Sequence, residues 1–199
     1  LEFLSDVDFD KYKNFIYDKS GIFFSSSNRT ILESRLRERL RTTNHETVLE
    51  YFALISKNEE EMRALLDSVT TNLTRFFRNK AHYDTFINFV IPDLVKRKQA
   101  SGDKVFKIWS AGCSTGEEAY TNAMVLSEYL PSDFKIEITA SDLSLKSLMK
   151  AKDGFYPLSK ISGITDNYLK KYMEPVENGF KMKDSIKKLI KFDYHNLKF

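Results

Sequence analysis

Residues 105–109 form an apolar run interrupted only by Lys107, and it drops into the small residues of "SAGCSTG" at 110–116. A helical pattern then opens on two glutamates, Glu117 and Glu118. Strand, glycine-bearing turn and helix in that order begin a βαβ unit, which commits this part of the chain to a parallel sheet with right-handed crossovers. The remainder follows suit. Strand signals recur at 136–139 and 189–192, with helices expected from Glu117 to just before Pro131 and from Ser144 to about Lys152. A short helix around 165–172 and a turn at "ENG" (177–179) precede the third strand.

The first seventy residues have a different grammar. Phe9, Tyr12, Phe15 and Ile16 recur at helical spacing, and "KSGIFF" supplies a glycine stop. Ile31, Leu32, Leu36 and Leu40 define a second helix. Val48, Tyr51, Phe52 and Ile55 define a third, and Met62, Leu65, Leu66 and Val69 a fourth. The polar link "TTNLTRFFRN" (70–79) leads to a helix over 82–98 that holds Phe86, Phe89, Val90 and Leu94, with Pro92 as a kink or boundary. Three regions are expected: an all-α domain over 1–70, a linker and helix over 71–89, and an α/β domain over 90–199.

The glycine turn excludes two common ligands. A P-loop needs four residues between its glycines and then a lysine, whereas three separate Gly112 from Gly116 and Glu117 stands in the lysine position. A dinucleotide fingerprint needs three glycines at a spacing absent here, and two carboxylates would repel a pyrophosphate. Small residues at Ser110, Gly112, Ser114 and Gly116 let backbone approach a ligand, and the acids favour one that is cationic or rich in hydroxyls. S-adenosylmethionine is both. Equally, the glutamates could do no more than complement the helix dipole. Asp142, at the end of the second strand in "IEITASDLS", suits a ribose diol, or else N-caps the next helix.

Bulk composition narrows the class further. The 199 residues are 42% apolar and 30% charged, as expected of a packed globular chain. With 31 Lys+Arg against 28 Asp+Glu the net charge is +3, too even to argue for nucleic acid as a partner. One cysteine, Cys113, excludes an internal disulfide framework and fits a reducing compartment. No leader pattern and no membrane-length apolar run is visible, so a soluble, cytoplasmic protein is expected. His45, His82 and His195 are scattered without metal-ligand spacing, and no metal is expected. Cys113 is assigned to packing, and Phe23, Phe24, Phe76, Phe77 and Trp109 to the core.

With these residues in hand, the chain resembles the CheR-type chemoreceptor glutamate methyltransferases. "TTNLTRFFRN", "WSAGCSTGEEAY", "ASDLS" with "AKDGFYPLS", and "FDYHNL" match that family in order and spacing, and "KSGIFF" and "RLRERLR" match its helical region. The resemblance implies an α-helical N-terminal domain joined to a Rossmann-like, S-adenosylmethionine-dependent methyltransferase domain, here truncated after the third strand. Further strands, a tyrosine near the transferred methyl and a small β-subdomain that some members use to grip a receptor tail are expected beyond Phe199.

The activity so implied is protein-glutamate O-methylation on the cytoplasmic helices of methyl-accepting chemotaxis receptors, with S-adenosylhomocysteine as product. The resemblance assigns Asn72, Thr74 and Arg78 to the cofactor from the linker, with Gly112, Glu117, Glu118 and Asp142 at the first two strand ends. Asn196 and Leu197 fall on the adenine side. Arg78 is also the expected catalytic residue, orienting the substrate carboxylate from a short helical segment whose phenylalanines are buried. "RTILESRLRERLR" directs Arg37 and Arg41 to solvent, as a docking face for acidic receptor helices or an ordinary solvated face. A monomer is expected, with neither nucleic acid nor membrane insertion. The alternative is a binding module that holds the nucleotide or a partner without turnover.

Overall fold

A computed structural model describes residues 3–199. The described residues divide into two compact units, one of residues 3–71 together with 196–199, the other of residues 72–195.

The first unit is helical: α1 (Asp6–Ser20), α2 (Arg29–Thr43), α3 (Val48–Ile55) and α4 (Glu59–Val69). The caps explain these boundaries. The Ser5 hydroxyl accepts the Asp8 N–H, and Gly21 ends α1 in a left-handed conformation at φ 78°. Thr47 and Glu50 form a reciprocal capping box on α3, and Asn58 caps an α4 that begins with three glutamates. Tyr12, Ile16, Leu32, Leu36, Tyr51 and Leu65 fill the core. Each such side chain contributes about 1.5–3 kcal/mol of burial. Within this unit Arg39 grips Glu61 through its Nε and Nη2, and the Tyr51 hydroxyl donates to the same carboxylate at 2.6 Å. Ile31, which helped to mark α2, is exposed because it lies about 100° round the helix from Leu32, which occupies the inward stripe. One expectation fails. Phe23 is 65% exposed and meets Tyr17 edge-on, while Phe24 takes the core position.

The second unit begins with α5 (Lys80–Thr85), a π-turn (Phe86–Val90) and α6 (Ile91–Ser101). The Ile91 N–H bonds to Phe86 O, an i to i−5 step, just before Pro92, which has no N–H to give. That extra residue rotates the helical face. Phe86 and Leu94 stay against the core, but Phe89 is 71% exposed.

Next come β1 (Val105–Ala111), α7 (Glu117–Tyr129), β2 (Lys135–Asp142), α8 (Leu145–Asp153) and, further on, β6 (Ile190–Tyr194). These strands form a parallel sheet in the order β1-β2-β6. Ile108, Ile138 and Ile190 lie in register across it. One face packs under α7, whose Ala119 and Ala123 allow close approach while Tyr120, Met124 and Leu126 fill the gap. The other face carries Lys107, Glu137, Lys191 and Asp193, paired as Lys107–Glu137 and Lys191–Asp193. Trp109, expected in the core, is on this second face and 57% exposed, because side chains alternate along β1. Its indole N–H donates to the Ser141 hydroxyl at 2.9 Å, and its ring meets His195 edge-on.

The crossover from α8 to β6 holds a second sheet that the sequence analysis missed. β3 (Phe155–Pro157), β4 (Met173–Val176) and β5 (Gly179–Met182) pair antiparallel in the order β3-β5-β4, with α9 (Asp166–Tyr172) before β4 and α10 (Asp184–Lys187) after β5. Strands of three and four residues are too short to display a two-residue period. Gly179 is required there, since a Cβ would lie 2.3 Å from Tyr156 O. A small β-element of the kind expected only beyond Phe199 is therefore present inside the chain.

Candidate functional site

The turn between β1 and α7 turns sharply because three of its residues have positive φ: Gly112 at 73°, Ser114 at 49° and Gly116 at 92°. Glycine meets that demand without strain at two positions; Ser114 bears it at the third. The turn's amides are already engaged. The N–H groups of Gly112 and Cys113 both donate to Ser141 O, at 2.8 and 2.9 Å. The Ser114 N–H donates to Asp142 Oδ2 at 2.7 Å. Three of the turn's amides are thus spent on the end of β2 and are not free to cradle a phosphate.

Asp142 is the knot of the site. Its Oδ1 accepts the Ser144 N–H at 2.8 Å, and its carbonyl accepts the His195 N–H at 3.1 Å. One nearly buried residue thus ties together the turn after β1, the end of β2 and the end of β6. It does not cap α8. Ser144 does, accepting the Ser147 N–H.

The two glutamates separate by environment. Glu117 is 1% exposed, and its Oε2 accepts the Thr115 hydroxyl at 2.6 Å. Glu118 is exposed, and its Oε1 accepts the Ser110 hydroxyl at 2.7 Å. Cys113 lies among Asp142, Glu118 and Glu117. Burial first, and then these carboxylates, push its thiol up to about 12, so it stays protonated and serves as packing. Gly116 is closely walled: a Cβ there would sit 2.9 Å from Ala151 Cβ and 3.1 Å from the Tyr156 hydroxyl. That hydroxyl donates to Thr115 O at 2.7 Å. A Cβ at Gly112, by contrast, would meet nothing within 4 Å, so the turn is open on that side.

Residues 72–79 pack beside the turn. The Ser114 hydroxyl donates to Asn72 Oδ1 at 3.3 Å, and Phe76 is buried edge-on against Tyr156. The expected short helix is absent, because Phe77 is left-handed at φ 49°. Phe77 is half-buried between Tyr83 and Tyr168, and its N–H donates to the Thr121 hydroxyl at 3.3 Å. Arg78 is exposed and its Nη1 donates to Leu73 O at 3.0 Å, while Thr74 is half-buried in the same loop. Burial, followed by the charge of Glu118, raises the Tyr83 phenol above its ordinary range.

Asn72, Gly112, Glu117, Glu118 and Asp142 are thus gathered on one turn, with Arg78 on the adjoining loop. Asn196 and Leu197 fall in the helical unit, where the Asn196 amide donates to Lys19 O at 2.9 Å. Arg37 and Arg41 are exposed on α2, Arg37 lying over the Phe3 ring. Sequence reasoning missed Ser110, Thr115, Thr121 and Tyr156 as partners. "SAGCSTGEEAY" and "AKDGFYPLS" contain all but Thr121 and were read for size or similarity alone. A separate groove of about 500 Å³ on the antiparallel sheet is lined by Leu169, Lys170, Met173, Phe180 and Lys183, and none of the turn residues reaches it. Among the described residues, no helix is long and apolar enough to cross a membrane.

Comparison with known proteins adds two domain matches. Residues 7–70 match the CheR methyltransferase all-alpha domain, and residues 72–199 match the CheR methyltransferase SAM binding domain. Among curated relatives, the chain is 35% identical over 189 residues to a chemotaxis protein methyltransferase of Borreliella burgdorferi, covering 92% of this chain and 66% of that protein. It is 31% identical over 199 residues to chemotaxis protein methyltransferase 2 of Vibrio cholerae, covering 98% and 68%. Against the chemotaxis protein methyltransferase of Escherichia coli the identity is 34% over 174 residues, covering 85% and 57%. The chain spans about two thirds of the length of the curated relatives it matches.

Proposed function

The chain belongs to the CheR methyltransferase family, and from that premise we propose that it methylates glutamate side chains on the cytoplasmic helices of methyl-accepting chemoreceptors. The observation that carries this reading is the glycine turn. The N–H groups of Gly112, Cys113, Ser114 and Gly116 are consumed internally and its charged side chains are carboxylates, an acceptor set suited to an ammonium, a sulfonium and ribose hydroxyls rather than to a phosphate. When bound, S-adenosylmethionine supplies an electrophilic methyl group and leaves as the neutral thioether S-adenosylhomocysteine.

In this reading Gly112 gives the open approach, and Asp142, with lone pairs left on both oxygens, accepts ribose hydroxyls. Glu118, the exposed member of its pair, also meets the cofactor, while Glu117 braces the turn from below through Thr115. Asn72 and Thr74 close the pocket from the linker. Arg78 turns from Leu73 O into the pocket, where it meets the cofactor and orients the substrate carboxylate. A glutamate is already ionised at pH 7, so no general base is needed, and alignment does the work, contributing up to roughly 7–11 kcal/mol in well-oriented systems. Arg37 and Arg41 face acidic receptor helices, the protein working as a cytoplasmic monomer.

The test is transfer of label from methyl-labelled S-adenosylmethionine to a purified receptor cytoplasmic bundle. Methyl esters of glutamate release their label as methanol in mild alkali. Alkali-labile label that depends on Arg78 supports the proposal. Tight S-adenosylhomocysteine binding with no transfer would replace it with the binding-module reading.

A further inference from the structure

Thr121 lies one turn into α7, fully buried, and its hydroxyl serves two elements at once. It donates to Glu117 O at 2.6 Å and accepts the Phe77 N–H at 3.3 Å. The first bond is the usual back-bond of a helical threonine. The second reaches a loop residue distant in sequence whose φ of 49° is disfavoured for a bulky side chain and needs an outside constraint. The Phe77 ring rests against Tyr83 and Tyr168, at 5.5 and 5.2 Å between centroids. Arg78 follows directly in the chain. The Arg75 guanidinium bonds to Arg78 O at 3.2 Å and Arg78 itself to Leu73 O, so the loop is braced on itself and joined to α7 at Phe77.

We propose that Thr121 is a positioning residue for methyl transfer, its hydroxyl fixing the left-handed Phe77 backbone and so setting where Arg78 stands relative to the glutamates that open α7. The inference rests on the cofactor site proposed above. A threonine needed only for packing would tolerate any side chain of its shape. One that positions Arg78 requires the oxygen.

Thr121→Val keeps the shape and removes the oxygen; Thr121→Ala is a second hydroxyl-free variant should valine prevent folding, and Thr121→Ser restores the bond. Hydrogen exchange at the Phe77 amide is read first, since it requires no ligand. Exchange there is expected to accelerate about tenfold in the valine variant and to return to the wild-type rate in the serine variant. Calorimetry then gives S-adenosylhomocysteine affinity for Thr121→Val, Arg78→Ala and the double variant. Thr121→Val alone is expected to weaken binding about threefold to tenfold, and to add almost nothing on the Arg78→Ala background. Unchanged exchange at Phe77, full additivity with Arg78→Ala, or a serine variant as impaired as valine would each overturn the inference. A folded wild-type chain that binds no S-adenosylhomocysteine would instead refute the cofactor site, while the exchange at Phe77 still decides whether Thr121 holds the loop.

Discussion

Replacing Asp142 by alanine removes the acceptor for two backbone N–H groups, those of Ser114 at 2.7 Å and Ser144 at 2.8 Å, in a nearly buried position. A hydrogen bond to a charged acceptor contributes about 1.5–3 kcal/mol, so the lower bound for the pair is about 3 kcal/mol. Strand-end contacts through the Asp142 backbone survive the change, which keeps the loss near that bound. With a urea dependence of about 1.5 kcal/mol per molar, the midpoint falls by roughly 2 M. Asp142→Asn retains one carbonyl oxygen and loses about half as much. Fluorescence of the single tryptophan, Trp109, reports the transition from within β1, where its indole is bonded to Ser141. A midpoint within about 0.3 M of wild type for the alanine variant would refute the claim that this carboxylate holds the turn to β2.

Gly116→Ala forces an L-residue to φ 92° with its Cβ 2.9 Å from Ala151 Cβ, and should cost about 2–3 kcal/mol in the same urea assay. Gly112→Ala, with open space for its Cβ but φ at 73°, should cost only about 1 kcal/mol. Glu118→Gln should weaken S-adenosylhomocysteine binding about tenfold with little change in stability, while Glu117→Gln should lower stability first, as compared by calorimetry and melting. Cys113 favours its protonated form in the folded chain, so its stabilising contribution is complete below about pH 9 and declines as pH rises toward 12. Cys113→Ala should therefore flatten part of the fall in urea midpoint between pH 8.5 and 10.5, and iodoacetamide should modify the wild-type thiol only after unfolding.

Much of the architecture was legible because its elements are long and periodic. The four helices of the first unit follow Tyr12, Leu36, Tyr51 and Leu65, and the parallel strands follow their isoleucines. Residues on alternating or rotated faces were misjudged. Trp109 lies one position from the half-buried Ile108, and Phe89 is turned outward by a π-turn that no spacing rule anticipates. The short strands of the antiparallel sheet gave no period at all. At the site, the turn and its acids were legible from residue type, and the exclusion of phosphate rested on spacing that the occupied amides now explain. The division between Glu117 and Glu118 was not legible, since adjacent identical residues differ only in what Ser110 and Thr115 offer them. Nor was Thr121, whose bond to Phe77 spans 44 residues.

Calorimetric titration of the chain with S-adenosylhomocysteine tests the central claim most directly. The account predicts saturable binding at one site, weakened about tenfold by Glu118→Gln and unaffected by inorganic phosphate or by a dinucleotide as competitor. A folded chain that gives no heat with S-adenosylhomocysteine, or one whose binding is displaced by phosphate, would contradict it.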